Sequence, residues 1–514
     1  MGASQLLDFF STIEECEKLY PVSRWHVNGV PVWPLVRTEG RAELAYDPVP
    51  GVRRKSRVAR SSQLLRDVAS PLLQPLENRR DWRHEKLFLR PVDALFLGDG
   101  ISQDFIRGLW RDRYCAPLMD ALAANGGSSL LMQPRAQRLP RERDTYSVQW
   151  IASWGRLLAR TRRARDVELP HHDDVRKLLQ DRGFHLNVLD PGVLKRWGVK
   201  VAAMARLFDH VLAKTQPRIG FAVSYYWDVG FAFNLACERR SVLSVDIQHG
   251  SQDGRHEAYN FWSAVPSGGY SILPDIFWTW SEEDAKAINA WAGQLEKPWH
   301  LAVWGGHPQF STWLDDANPQ TREFDAIVAG IKKRNEGDFD VLVPLQDLDG
   351  YGAVWDDLAD LISASPPHWR WWLRRHPVPA FNRGAGIKKL LTLKRRSIIL
   401  EEATSLPMPA LLRNVNAVLT LMSSTAVESA FFGHRPIFLT EDARMQFSGI
   451  FKADKADVIS NMEAVMARLK TMAQEGRRPA QRPYHRTDLK HTLNALLAMA
   501  RNHPDDSANS AAGN

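Results

Sequence analysis

Three consecutive hydroxyl residues, Ser423, Ser424 and Thr425, stand between an apolar run at 417–421 and a stretch with helical spacing. The apolar run predicts a buried strand, and Ser423 or Ser424 can cap the helix that follows it. Free N–H groups at a helix start, together with hydroxyl donors, favour an anion, and a nucleotide phosphate fits such a site. The alternative interpretation is an ordinary N-cap in a strand-to-helix turn.

A second apolar run, residues 369–373, is followed by Arg374, Arg375 and His376. Pro377 ends the predicted strand, because proline cannot donate to a strand ladder. The two arginines could hold a phosphate through paired hydrogen bonds. We therefore expect these residues to share one anion site with the hydroxyl turn; the alternative for His376 is a purely structural role.

His249 and Gly250 follow a strand predicted at 241–248. Gly250 permits a close approach of the backbone to a ligand. The imidazole of His249 could act as a general base, or as a donor to a leaving phosphate. Carboxylates that could take part in the same chemistry are Asp228, Asp246, Asp253 and Glu257, and the alternative for each is a surface charge.

All three motifs lie in a chain where short apolar strands alternate with helices, which predicts parallel βαβ units and an α/β fold. The alternation restarts after residues 299–306, so two α/β halves are predicted, with a boundary near 300–320. Ligands of such sheets bind beyond the carboxyl ends of the strands. We therefore expect His249 and His376 on opposite walls of one cleft. Strands are predicted at 92–97, 129–132, 219–223, 241–248, 339–345, 369–373, 397–400, 417–421 and 436–439.

Four segments follow from this pattern. They are an N-terminal extension with a basic linker (1–88), an N-terminal Rossmann-like domain for the acceptor (89–305), a C-terminal Rossmann-like domain for the donor (306–501) and a disordered tail (502–514). In the extension, Asn28-Gly29 predicts a tight turn between two short extended pieces. The arginine-rich run at 52–66 could contact anionic lipid headgroups, or be a solvated segment.

Composition excludes several classes of protein. The 514 residues are 44% hydrophobic and 25% charged, which is typical of a soluble globular chain and not of a disordered, collagenous or coiled-coil protein. No apolar run reaches the ~20 residues of a membrane-spanning helix, and no signal peptide is recognisable.

Three widely spaced cysteines argue against a disulfide framework and favour the cytoplasm. The net charge of +8 could serve binding to an anionic membrane or to phosphorylated substrates, or it could reflect an ordinary basic surface. Binding to nucleic acid is disfavoured, because the sequence around the arginines at 52–66 shows no recognisable nucleic-acid-binding fold.

Two further patterns resemble metal sites. Asp347-Leu348-Asp349 has the Asp-x-Asp form, but it stands in the second half of the chain. His171-His172-Asp173-Asp174 has no strand before it and is better explained as a solvated turn before a helix. No phosphate-binding P-loop and no Gly-x-Ser-x-Gly nucleophile motif occurs. We expect no metal.

The chain resembles bacterial surface-polysaccharide glycosyltransferases of the GT-B type in three motifs. They are Gln248-His249-Gly250, His376-Pro377, and residues 423–430 leading to 433–437. The most similar members are capsule Kdo transferases and bacterial polysialyltransferases. CDP-glycerol glycerophosphotransferases of teichoic acid synthesis share a similar pattern. The resemblance covers about residues 215–440 and implies a GT-B-like fold, in which two Rossmann-like domains face a cleft.

The resemblance implies metal-independent transfer of a sugar from a nucleotide-activated donor to a capsule or lipopolysaccharide glycan. A CMP-linked acidic sugar, such as Kdo or sialic acid, is the favoured donor. His376 and the turn 423–425 would bind the donor phosphate, His249 would lie near the reacting centre, and Glu428 would approach the donor ribose. No cofactor is implied, since the nucleotide sugar is a substrate.

The partners implied are a nucleotide-sugar donor, a glycan or lipid-linked glycan acceptor and an anionic inner-membrane surface, with no nucleic acid. The protein would then be cytoplasmic, or peripheral on the inner membrane. Two alternatives stay open: a CDP-polyol phosphotransferase of the teichoic acid type, and a non-catalytic subunit of an export complex that binds nucleotide sugars or glycans.

Overall fold

The computed structural model describes residues 3–45, 89–134, 140–142, 144–252, 256–294, 299–348, 350–393, 395, 397–476 and 489–501. The arginine-rich run at 52–66, the tail at 502–514, Asp253 and Asp349 lie outside the described residues.

The described strands are, in chain order, β1 (His26–Val27), β2 (Val30–Pro31), β3 (Ala94–Leu97), β4 (Gln103–Ile106), β5 (Leu109–Asp112), β6 (Ser129–Gln133), β7 (Thr145–Ser147), β8 (Val167–Glu168), β9 (Ile219–Val223), β10 (Leu243–Ile247), β11 (Ile276–Thr279), β12 (Leu301–Trp304), β13 (Phe339–Pro344), β14 (Trp369–Arg374), β15 (Ile398–Ile399), β16 (Ala417–Thr420), β17 (Ile437–Phe438) and β18 (Asp457–Val458).

The described α-helices are Ala3–Leu19, Trp33–Ala45, Cys115–Ala123, Gln149–Thr161, His172–Asp181, Pro191–Thr215, Asp228–Arg239, Glu282–Ala292, Phe310–Trp313, Pro319–Arg334, Gly352–Ala364, Ala385–Leu391, Glu401–Ser405, Met408–Leu412, Thr425–Phe431, Ala443–Gln446, Ser448–Lys452, Met462–Glu475 and Leu489–Arg501. None of these helices is both long and apolar enough to cross a bilayer.

The first large sheet has the strand order β12-β11-β10-β9-β3-β6-β7, and all of its pairs are parallel. Its central strands are buried throughout, because helices cover both faces. Alternate side chains enter different cores: Leu95 and Leu97 of β3 join one apolar cluster, and Phe96 joins another. This is the period of two that a strand imposes on its side chains.

The second sheet has the order β15-β14-β13-β16-β17-β18, and it is also parallel. Leu342 and Trp372 on one of its faces belong to the same apolar cluster as Phe96 of the first sheet. The two Rossmann-like halves therefore share a continuous core beneath their facing edges. The predicted fold class, an α/β protein of the GT-B-like kind, is confirmed, whereas the predicted domain limits stay predictions.

Helix Leu489–Arg501 follows the second sheet in the chain but packs against Cys115–Ala123 of the first half. Its Leu489, Leu493 and Leu496 recur at helical spacing and are buried in the shared core. The end of the described chain therefore crosses back and ties the two halves together.

The N-terminal extension contains the predicted tight turn: Asn28 and Gly29 have φ angles of 53° and 71° between the antiparallel β1 and β2. Positive φ at both central residues is what a two-residue hairpin turn requires. The extension also supports the first half, through the fully buried Arg37. Its guanidinium pairs with Glu17 at 2.5 Å and donates to the carbonyl of Asn260 at 2.7 Å. These bonds fix the loop that carries His256.

Candidate active site

Three neighbouring strands of the first sheet deliver polar side chains to one place. His249 follows β10, Tyr226 follows β9 and Asp99 follows β3, and these strands are adjacent and parallel. The Tyr226 hydroxyl lies 3.3 Å from Nε2 of His249. The hydroxyl of Tyr114 donates to the backbone carbonyl of His249 at 3.0 Å. His249 is therefore held at the carboxyl edge of the sheet through its ring by Tyr226 and through its backbone by Tyr114.

The electrostatics of His249 suit a neutral base. Burial lowers the pKa of its imidazole below the ordinary 6.5, and the charge of Asp99 opposes this shift. Its Nδ1 is buried and has no hydrogen-bond partner among the described residues. A buried polar atom without a partner is rare in folded proteins and marks a position where a ligand or water would be bound. His249 can thus accept a proton at neutral pH.

Asp99 belongs to this site, and the sequence analysis did not select it. Its Oδ1 accepts the N–H groups of Ile101 at 2.7 Å and Ser102 at 2.8 Å, so the carboxylate is rigidly placed. The preceding Gly98 leaves no room for a side chain, because a Cβ there would lie 2.5 Å from Oδ2 of Asp112. The signal that could have found Asp99 is a carboxylate between two glycines directly after a buried strand.

The hydroxyl turn begins helix Thr425–Phe431, which has only seven residues. Oγ of Ser423 accepts the N–H of Thr425 at 3.2 Å, so Ser423 satisfies one free donor of the helix. Ser424 occupies the N-cap position, and its side chain makes no capping bond. Its hydroxyl is therefore not used to cap the helix, and the predicted binding of a phosphate by this turn stays a prediction.

His376 follows β14, and Ser423 follows β16, with β13 between them. Two strand spacings of ~4.8 Å separate the ends of these strands by roughly 10 Å. The backbone N–H of Val378 donates to Nδ1 of His376 at 3.1 Å, so the ring proton resides on Nε2. Burial lowers the pKa of His376, which keeps it in that neutral form as an Nε2–H donor. Pro377 beside it is exposed.

Arg374 is the last residue of β14 and Arg375 follows it, and both are held by the segment that follows β15. Arg374 is half-buried and donates to the carbonyls of Ala403, at 2.7 Å, and Leu406. Arg375 pairs with Glu401 at 2.8 Å on the surface. Their predicted contact with a phosphate stays a prediction.

Glu428 lies in a buried group of charges between the two halves. Arg374 comes from the same half, and the ion pair of Arg113 with Asp104, 2.9 Å long, comes from the other. Burial raises the pKa of Glu428 to about 7, although both arginines lower it. Burial, and then the like charge of Arg113, lower the pKa of Arg374 to about 10. Glu428 therefore faces the first half of the chain.

The two walls meet at Gly250. A Cβ built on Gly250 would lie 4.0 Å from Cβ of Ser424, so the backbone after His249 directly faces the hydroxyl turn. Next to it, the hydroxyl of Ser251 donates to the carbonyl of Gln446 at 3.2 Å. The structure thus brings the His249 loop and the turn 423–425 together across the cleft.

The other predicted carboxylates lie elsewhere. Asp246 is fully buried within β10, where it accepts the N–H of Tyr225 at 2.8 Å and the hydroxyl of Tyr259 at 3.0 Å, and burial raises its pKa to about 8. Glu257 pairs with Arg41 of the extension at 3.1 Å. Asp228 begins helix Asp228–Arg239 and lines a separate cavity. The partners of these three carboxylates do not include His249.

The patterns that resemble metal sites are occupied by local contacts. His171 bonds to Asp174 at 3.0 Å, and His172 bonds to the carbonyl of Leu189 at 2.7 Å. Asp347 packs against Gly384. Among the described residues, no group of three or more histidine, cysteine, aspartate or glutamate side chains could hold a metal ion.

No family model and no curated protein matches this sequence. Solved structures with a similar chain path include UDP-GlcNAc 2-epimerase from Neisseria meningitidis bound to UDP-GlcNAc, at 12% identity and a TM-score of 0.48, with 79% of this chain and 99% of that chain covered. The wall teichoic acid polymerase TagF is similar at 9% identity and a TM-score of 0.44, with 87% and 98% covered. The glycosyltransferase SnogD from Streptomyces nogalater is similar at 12% identity and a TM-score of 0.39, with 80% and 100% covered. At 9–12% identity, these similarities concern the path of the chain and not the activity of the protein.

Proposed function

We propose that the protein is a glycosyltransferase that moves a sugar from a nucleotide-activated donor to a glycan of the bacterial surface. A CMP-linked acidic sugar is the favoured donor, and no metal is needed. The observation that carries the proposal is the approach of Gly250 to Ser424, with 4.0 Å between the built Cβ and the serine Cβ. It sets a candidate base on one wall opposite a group of hydroxyl donors on the other.

The proposed donor site uses groups that donate hydrogen bonds. Nε2–H of His376 and the hydroxyl of Ser424 would bind the phosphate, and Glu428 would lie near the donor ribose. Hydrogen-bond donors fixed in a partly buried cleft stabilise the charge that develops on a leaving phosphate. They would do this without the metal ion that other sugar transferases use.

The proposed reaction displaces the nucleotide at the anomeric carbon. An acceptor hydroxyl forms the new C–O bond, the bond from the anomeric carbon to the phosphate oxygen breaks, and the electron pair leaves with the nucleotide. The acceptor proton passes to His249. Asp99 stabilises the resulting imidazolium, since its charge already favours the protonated ring.

A nucleotide screen tests the class of donor. Thermal unfolding is measured with CMP, CDP, UDP, GDP and ADP; a nucleotide at 100 times its dissociation constant adds ~2.7 kcal/mol of stability. Selective stabilisation by CMP supports the proposal. Selective stabilisation by CDP would favour polyol-phosphate transfer instead. If no nucleotide stabilises the protein, the proposed donor site is wrong.

Two histidine variants test the roles. His376→Ala should lose nucleotide affinity as well as turnover, whereas His368→Ala, an exposed histidine at the other end of β14, should lose neither. His249→Ala should keep its nucleotide affinity and lose about 10²–10⁴ in rate, the usual contribution of a positioned acid or base. Turnover of His249→Ala within about threefold of wild type would exclude it from the chemistry.

Ser424→Ala tests the hydroxyl turn. A hydrogen bond to a charged group is worth ~1.5–3 kcal/mol, so nucleotide affinity should fall roughly ten- to a hundredfold. The fold should be retained, because this side chain makes no capping bond. Unchanged affinity in calorimetry for both Ser423→Ala and Ser424→Ala would remove the turn from the phosphate site.

A further inference from the structure

The first half of the chain contains a cavity of about 1200 Å³, which we call the basic cavity. It lies between helices Gln149–Thr161 and Pro191–Thr215, and helices Trp33–Ala45 and Asp228–Arg239 also line it. Its volume exceeds the roughly 300–1,000 Å³ of most small-molecule pockets, so it has room for a chain of several units. The proposed donor site does not use it.

Positive charge dominates the lining. The basic side chains are Arg156, Arg160, Arg162, Arg196 and Lys200, and the acidic ones are Glu39, Glu43 and Asp228.

One of the three acids is already compensated within the lining. Asp228 is already neutralised by Lys200, at 2.5 Å, and accepts the indole N–H of Trp197 at 2.8 Å. Burial, and then the charge of Asp228, raise the pKa of Glu39. The field inside the basic cavity is therefore positive.

The spacing of the cations concentrates this field. Arg156 and Arg160 stand four residues apart on one helix, and Arg196 and Lys200 stand four apart on the helix opposite. Side chains at this spacing share one face of a helix, and like charges there repel each other. The four side chains therefore place positive charge on two facing walls of the cavity.

Arg162 and Arg196 are exposed, and neither forms an ion pair with any residue in the described part of the chain. The half-buried Trp227 also lines the basic cavity, and its buried Nε1 has no partner among the described residues. Its ring and N–H suit a sugar, which presents both an apolar face and hydroxyl acceptors.

Two residues that line the basic cavity are the direct chain neighbours of residues at or near the reacting centre proposed above. Trp227 directly follows Tyr226, whose hydroxyl lies 3.3 Å from Nε2 of His249. On the neighbouring wall, Pro134 directly follows Gln133, whose amide donates to the buried Asp112 at 2.9 Å. The segment that holds Tyr226 against His249 therefore also supplies part of the cavity wall.

We propose that the basic cavity binds an acidic oligosaccharide, which is the acceptor chain of the transfer proposed above. This inference rests on the proposed function, because the chain is an acceptor only if the cleft transfers a sugar. A concave site with a tryptophan favours a glycan over a lipid surface, which would meet an exposed convex patch.

The test is calorimetric titration with a hexamer of sialic acid and, as a neutral probe, maltohexaose. The double variant Arg162→Ala/Arg196→Ala removes two cations that line the cavity. Its matched control, Arg163→Ala/Lys195→Ala, removes two exposed cations at the adjacent positions, which do not line it. Wild type should bind the hexamer and not maltohexaose. The first double variant should bind the hexamer at least about tenfold more weakly, and the control within about threefold of wild type.

Equal losses in both double variants would overturn the inference, because they would show only diffuse attraction. Equal binding of maltohexaose, or binding of phosphatidylglycerol vesicles without binding of the hexamer, would overturn it as well. CMP titration of the same samples separates the two proposals. If CMP binds and the hexamer does not, this inference fails alone; if the hexamer binds and no nucleotide does, the proposed function fails.

Discussion

Glu428 should make the stability of the protein depend on pH in a direction opposite to that of an ordinary paired carboxylate. Its pKa is raised from 4.5 to about 7, chiefly by burial between the two halves. A carboxyl whose pKa is higher in the folded state binds its proton more tightly there. It therefore stabilises the fold below pH 4.5, and this contribution is lost as the pH rises from 4.5 to about 7.

The magnitude follows from the size of the shift. A displacement from 4.5 to about 7 corresponds to about 3 kcal/mol, at 1.36 kcal/mol for each pH unit. With an unfolding entropy of ~2.1 cal/mol/K per residue, this equals about 3 °C in Tm if the whole chain unfolds together, and about 7 °C for a unit of roughly 200 residues.

The assay compares Tm between pH 4.5 and 8 for wild type, Glu428→Gln and Glu336→Gln, with no nucleotide present. The Tm of wild type minus that of Glu428→Gln should fall by about 3–7 °C up to pH 7 and then level off. The exposed Glu336 serves as the matched control, and its variant should follow wild type. A difference that rises with pH would refute the reasoning, because Arg113 and Arg374 would then outweigh burial.

Three further predictions concern packing. In urea titrations, Gly155→Ala should destabilise the protein by about 1–3 kcal/mol, because the new Cβ would lie 2.2 Å from Cγ of Met204. Gly330→Ala is the matched control: the nearest atom to its new Cβ would lie 3.8 Å away, so it should stabilise the protein by ~0.4–1 kcal/mol. Arg37→Met should cost about 3–5 kcal/mol, since it leaves the buried Glu17 unpaired, and Glu17→Gln in the same chain should restore part of the Tm. The three cysteines, Cys16, Cys115 and Cys237, are all buried. They should therefore react with a thiol reagent only after the protein unfolds.

Local pattern alone determined much of the framework. The strand predicted at 219–223 is β9 to the residue, and the turn at Asn28-Gly29 has the expected positive φ angles. These features depend on neighbours in sequence: an apolar run between helices must be buried on both faces, and only a few residue types accept a left-handed backbone. The hairpin of β4 and β5 was not predicted, because five of its eight residues are exposed or partly exposed and its residue types do not alternate between apolar and polar.

The sequence alone identified only some of the residues of the candidate site. His249, His376 and the hydroxyl turn could be selected, since each directly follows a strand and so must lie at the carboxyl edge of its sheet. Asp246 lies inside the strand predicted at 241–248, but the sequence did not show that its carboxylate has partners there. A side chain within the strand points into the face of the sheet, where Asp246 meets Tyr225 and Tyr259.

The remaining assignments needed the tertiary structure. Asp99 reaches His249 because β3 lies beside β9, although more than a hundred residues separate them in the chain. Asp228 lines the basic cavity, and the charge of Arg113 acts on Glu428 across the two halves, for similar reasons. Hydrophobic periodicity determines which residues of a segment are buried, but strand order and the packing of the two halves depend on contacts between distant segments, which no local pattern encodes.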